Sequence, residues 1–101
     1  MAQKWVLVDK AELVLMFRRG KKLASLNLTS DSIVRIQFDK CKERKFGIIP
    51  TDSEKITIVT PKSGEPIVYW KGKNKAFFEE YKADLAKFAK DYRITFTDNT
   101  I

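Results

Sequence analysis

Residues 74–92, Asn-Lys-Ala-Phe-Phe-Glu-Glu-Tyr-Lys-Ala-Asp-Leu-Ala-Lys-Phe-Ala-Lys-Asp-Tyr, carry the one strongly helical pattern of the chain. At about 100° per residue, Phe77, Phe78, Tyr81, Leu85, Phe88, Ala89 and Tyr92 fall within an arc of roughly 120°. A stripe this wide and aromatic must be covered by apolar surface, and the segments that precede it read almost entirely as β-strand. The helix is therefore expected to pack on or plug a β-structure. Asn74 is its expected N-cap. Glu79 and Glu80 lie near the positive end of the helix dipole, and Lys87 and Lys90 near the negative end.

Seven short segments have strand character: residues 4–9, 13–17, 23–28, 33–38, 46–49, 55–60 and 67–70. The fourth is the clearest, because Val34, Ile36 and Phe38 alternate with Arg35 and Gln37 as a half-buried strand requires. Turn chemistry separates the segments. Gly20 in Arg18-Arg-Gly-Lys21 supplies a positive φ for a hairpin, residues 30–32 form a loop, and Pro50-Thr-Asp-Ser53 ends the fifth segment. Pro61-Lys-Ser-Gly64 turns the chain again, and Gly72 breaks the last segment. After the helix, residues 93–98 read as one more short strand or as a surface tail. Short connections favour antiparallel neighbours, since parallel crossovers need a dozen or more residues. The expectation is one domain over residues 1–101, mainly β, with seven antiparallel strands in a barrel or sandwich capped by the C-terminal helix.

The order of seven strands and one long amphipathic helix resembles the pleckstrin-homology (PH) superfold, over residues 4–92. A tryptophan begins the first strand and aromatic residues dominate the inner face of the helix, as the resemblance asks. It implies two near-orthogonal sheets whose open end the helix closes, and a binding scaffold that engages phosphoinositides, peptides or another domain. Lipid-binding members carry a basic Lys-x-n-[Lys/Arg]-x-Arg pattern in the first hairpin. Here that hairpin reads Asp9-Lys10-Ala11-Glu12, and the nearest basic spacing, Lys42-Glu43-Arg44, follows the fourth strand. The chain looks closest to divergent bacterial PH-like domains of unassigned function.

Composition fits a folded binding domain and offers little to a catalyst. With no histidine, the commonest general base and metal ligand is missing. The four glycines form no phosphate loop, and no serine sits in a nucleophile elbow. No enzyme activity, cofactor or metal is expected. Cys41, between Lys40 and Lys42, is the one residue with a case for reactivity, because positive neighbours lower a thiol pKa. A single cysteine closes no internal disulfide, which suits a reducing compartment. No signal peptide or membrane-spanning stretch is read, and the expected location is cytoplasmic.

The net charge of +7 favours anionic partners. Eleven of the twenty basic residues gather in three short segments at predicted turns. Arg18, Arg19, Lys21 and Lys22 bracket Gly20, followed by Lys40, Lys42, Arg44 and Lys45, and then Lys71, Lys73 and Lys75 lead into the helix. The first ten of these are the candidate anion-binding residues. If they converge they make an anion-binding rim, and if they scatter they are solvated loop charges. The helix is balanced in charge, its aromatics belong to the core, and Trp5 and Trp70 are assigned to buried strand positions. The expected function is a non-catalytic cytoplasmic binding or scaffold domain, acting through protein–protein contact or self-association at a sheet edge or groove. The alternative is a binder of anionic lipid or nucleic acid through the basic turns.

Overall fold

The computed structural model describes residues 4–45 and 49–100. Seven strands and one α-helix lie among them, in two separate sheets. The first sheet is a meander of β1 (Val6–Asp9), β2 (Glu12–Arg19) and β3 (Lys22–Thr29) in sequential order. The second contains β4 (Arg35–Lys45), β5 (Ile49–Val59), β6 (Ile67–Trp70) and β7 (Thr95–Asp98), in the order β6-β5-β4-β7. Helix α1 (Phe78–Asp91) separates β6 from β7 in the chain.

Period-two alternation builds both inner faces. Leu13 and Leu15 of β2, Leu28 of β3, Ile36 and Phe38 of β4, and Ile56 and Ile58 of β5 are buried, while their neighbours turn outward. The helix closes this core with Phe78, Tyr81, Leu85, Phe88 and Ala89, the predicted stripe less its two ends. It lies against β1 of one sheet and β4 and β7 of the other, so a single stripe covers both. Phe77 is half-buried and Tyr92 is exposed, its ring 5.1 Å from that of Phe88.

Several expectations need correction. The two sheets do not close into a barrel. Pairing is antiparallel except at β7, which runs parallel to β4 with Arg35 opposite Thr95. Here α1 is itself the crossover, returning the chain to the edge of β4 in the direction in which β4 runs. Six strands, rather than seven, precede the helix. Residues 50–53 do not end a strand. They belong to β5 and pair with β4, Pro50 opposite Arg44 and Ser53 opposite Cys41. Beyond the stretches paired with β6 and β7, β4 and β5 form a two-stranded ribbon with open edges, where proline costs no ladder bond if its nitrogen faces outward. The expected strand over residues 46–49 falls mostly on 46–48, outside the described residues.

The helix also starts later than Asn74. Residues 71–73 form a 3-10 turn, and the Asn74 side-chain amide donates to the Trp70 carbonyl at 2.8 Å. The Asn74 carbonyl accepts from Phe77 N at 3.1 Å, so Asn74 closes the turn and leaves Phe77 at the cap position without a side-chain cap. No helix among the described residues is long and apolar enough to cross a membrane.

Among the described residues the sheets share no strand; Tyr69 joins them directly and Tyr81 ties the helix to the entry of the first sheet. Tyr69 of β6 donates its hydroxyl to the Met16 carbonyl of β2 at 2.7 Å. The Tyr81 hydroxyl of α1 accepts from Trp5 N at 2.7 Å, and the two rings meet edge-on with centroids 6.1 Å apart. Burial, with a smaller contribution from Tyr81, raises the Tyr69 pKa well above its ordinary 10.0. A phenol that holds its proton more tightly in the fold than in the unfolded chain contributes stability below that ordinary value and loses it as pH rises beyond. Stability measured by urea unfolding should therefore fall more steeply between about pH 10 and pH 11 in the wild type than in Tyr69→Phe. Comparison of the two slopes is needed because Lys4, Lys82 and Lys87, also raised, act with the same sign. Equal slopes would contradict the assignment.

The end of α1 carries a second testable strain. Ile94 N donates to the Ala89 carbonyl at 2.9 Å, closing a Schellman turn in which Arg93 occupies the left-handed position at φ 55°. A non-glycine residue there costs roughly 1–2 kcal/mol, partly offset by the extra chain entropy that glycine loses on folding. Arg93→Gly should stabilise the fold by about 0.5–1 kcal/mol in denaturant titration. A destabilised variant would show that the arginine side chain contributes more than its backbone strain costs.

Candidate binding groove

Loop residues 60–66 connect β5 to β6 and are fixed by two buried polar side chains. Thr60 Oγ1 donates to the Ser32 carbonyl at 2.7 Å, and Ser63 Oγ donates to the carbonyls of Thr60 and Glu65. Gly64 takes φ +76°, as its place in the predicted turn requires. The loop brings Ser63 and Glu65 opposite the end of β2, where the two-residue hairpin turn has Gly20 at φ +66°. Between the hairpin and β6 lies a groove of about 580 Å³.

One wall of the groove is β6, which among the described residues ends its sheet and has a strand partner only on the β5 side. Trp5, Phe17 and Trp70 also line it, all half-buried, whereas Trp5 and Trp70 were expected in the core. Trp70 alternates with the buried Tyr69 and so stands on the other face of β6, while Trp5, just before β1, and Phe17, near the end of β2, pack against the core without being enclosed by it. Three cations share the lining. Arg18 lies over Trp5 with its guanidinium carbon 5.9 Å from the ring centroid. Arg19 lies 5.8 Å over Phe17 and donates through Nη2 to the Ser63 carbonyl at 2.9 Å. Lys73 comes from the 3-10 turn after β6, and Glu65 is the one carboxylate in the lining.

The ten candidate anion-binding residues thus divide. Arg18, Arg19 and Lys73 reach one groove although more than fifty positions separate the arginines from the lysine. Lys21 and Lys22 are exposed on the same hairpin but do not line it. Lys40, Lys42 and Arg44 share one face of the β4–β5 ribbon, exposed, with Lys42 paired to Asp52. Lys45 ends β4 opposite Ile49. Lys71 is paired with Glu79 at 3.7 Å. Glu43 joins ribbon and turn by accepting from Gly72 N at 2.9 Å and from the Ser53 hydroxyl. The approach is close, since a Cβ at Gly72 would stand 2.6 Å from Glu43 Oε1.

Two other features bear on chemistry. Among the described residues no group of three or more His, Cys, Asp or Glu is placed to hold a metal ion. Cys41 is half-buried on β4, on the face opposite Lys40 and Lys42, so sequence neighbours are not its electrostatic neighbours. Burial raises its pKa, with the carboxylates of Glu43 and Glu54 adding to the rise against Lys55 and a Ser53 hydrogen bond. The lowering that would have made the case for a reactive thiolate does not occur. No protein-family model, curated protein or solved structure matches this chain.

The groove aromatics had a faint sequence signal. Trp70 runs straight into Lys71-Gly-Lys73 and Phe17 into Arg18-Arg19, so each apolar residue ends a strand-like segment of the sequence beside a cluster of cations. For Cys41, labelling by a thiol reagent near neutral pH should be slower than labelling of free cysteine. A faster reaction would contradict the raised pKa.

Proposed function

We propose that this chain is a non-catalytic binding domain that acts through protein–protein contact at the groove beside β6. The observation that carries the reading is an open sheet edge next to a concave surface lined by Trp5, Phe17 and Trp70 and rimmed with cations. An open edge offers main-chain donors and acceptors to an added strand, while adjoining pockets select its side chains. Aromatic and arginine side chains are those enriched where protein interfaces concentrate their binding energy. The volume suits a short peptide segment or a small ligand. A PH-like scaffold forms part of the proposal, supported by the helix that follows the strand series and covers both sheets; β7 after that helix departs from it. A cytoplasmic location fits the single cysteine.

A second reading, a binder of anionic lipid or nucleic acid, is favoured by the meeting of Arg18, Arg19 and Lys73 in one groove. It is weakened by the placement of the β4 cations elsewhere and by the pairing of Lys42 and Lys71 with carboxylates. The two readings separate by crosslinking. A photoreactive residue at Val68 in the groove should capture a protein from host lysate, whereas the same residue at Asn27, exposed on β3, should not. Equal capture at both positions, or capture at neither, would count against protein contact at this groove.

A further inference from the structure

We infer that the occupant of the groove is an extended acidic peptide, laid along the outer edge of β6 with its carboxylates on Arg18, Arg19 and Lys73. This inference deepens the protein-contact reading and rests on it. At about 3.3 Å per residue, the four residues of β6 present an edge of about 13 Å, which sets an extended chain as the matching shape. The lining then sets the charge. Three cations face one carboxylate, Glu65, so an acidic segment is complementary and a basic one is repelled.

The two arginines are also ordered before anything binds. Arg18 is stacked on Trp5, and Arg19 is held both by Phe17 and by its 2.9 Å bond to Ser63. That bond uses one of the five guanidinium N–H donors, leaving others for a carboxylate fork. Side chains fixed in advance lose less entropy on binding, which is the advantage of a rigid arginine over a free lysine. The same stacking argues against nucleic acid. Trp5, Phe17 and Trp70 each already carry a cation of this chain over one face, that of Lys55 lying 5.2 Å from Trp70, so the rings support cations more than they offer open stacking platforms. A membrane surface would engage a broad basic face, but Lys40, Lys42 and Arg44 lie on the ribbon and not on this groove. A second copy, with its own charge of +7, would bring like charge to the rim.

The test is selection from a random heptapeptide display library on the intact protein. The peptides retained should be enriched about twofold or more in Asp and Glu over the input. The best of them, made synthetically and followed by fluorescence anisotropy, should bind about tenfold more weakly to Arg18→Gln and to Lys73→Gln, with both variants keeping the wild-type Tm. N-methylation of alternate peptide amides should abolish binding if the segment adds to β6 as a strand. Retained peptides without acidic enrichment overturn the acidic inference, and so does an empty selection. Either result leaves the protein-contact reading standing if Val68 still crosslinks a protein. Undiminished binding of the N-methylated peptide overturns strand addition. Tighter binding of a single-stranded oligonucleotide or of phosphatidylserine vesicles, lost in the same two variants, overturns the choice of a peptide.

Discussion

Two buried phenolic hydroxyls, with the Arg19–Ser63 bond at the rim, tie the two sheets and the helix of this architecture together. Among the described residues no strand runs from one sheet to the other, so their relative placement depends on side chains. Apolar contact fills the space between them without fixing a register, since burial is non-directional. The Tyr69 hydroxyl on the Met16 carbonyl and the Tyr81 hydroxyl on Trp5 N provide direction, each at 2.7 Å. Met16 and Trp5 are themselves joined, Met16 N donating to the Trp5 carbonyl at 2.8 Å. Helix, edge strand β6 and the entry to β1 therefore meet through a few polar atoms. Such bonds contribute only about 1 kcal/mol each, but a buried partner left unmade costs more than that, which makes the alternatives expensive.

The groove inherits its geometry from this joint. Trp5 is held by its backbone nitrogen on Tyr81, and its ring lies under Arg18. Tyr69 lies in β6, the strand whose outer edge is open, and its neighbour Trp70 continues the wall. Moving the helix would carry Tyr81, then Trp5, then the arginine it supports. The candidate site is coupled to the core through contiguous side chains, each of which has been placed by a hydrogen bond or a ring contact rather than by a loop free to wander.

What the sequence made legible follows from how local each signal is. The helix stripe and the alternation in β4 are short-range patterns; the stripe survives less its two ends, and the alternation survives at Ile36 and Phe38, whereas Val34 lies before β4 and is exposed while Ile33 is buried. The positive φ at Gly20 survives as well. Pro50 misled because proline reads as a strand breaker wherever it occurs, whereas its effect depends on whether its nitrogen faces another strand. The ribbon beyond the sheet has no such neighbour. Asn74 misled because a side-chain amide beside a helical pattern serves a turn as readily as a cap. The groove was legible only in part. Arg18, Arg19 and Lys73 stood out as basic turns, but their meeting depends on β6 being an edge strand, and edge position is a property of sheet order that no local pattern encodes. The aromatics failed for a related reason: burial of Trp5 and Trp70 was assumed from residue type, and the place of Trp5 before β1 and of Trp70 on the face of β6 opposite the buried Tyr69 decided otherwise.

Charge shows the same dependence on placement. A net +7 is a property of the whole chain, yet part of the basic character is locally answered. Lys82 lies within 2.7 Å of Glu54 in a half-buried pair, where burial pulls its pKa down and the carboxylate more than restores it. Lys4 is paired with Glu80, Lys71 with Glu79, Lys42 with Asp52 and Lys87 with Asp91. Exposed pairs of this kind stabilise little, but they remove the lysines concerned from any strong claim on an outside anion. Arg18 and Arg19 are held differently, by aromatic faces and a carbonyl, which orient a guanidinium without cancelling its charge. In a concave setting that distinction decides which cations can act on a ligand. The number of basic residues predicts attraction in general. It is the neutral supports beneath two arginines, beside an open strand edge, that give the attraction a place.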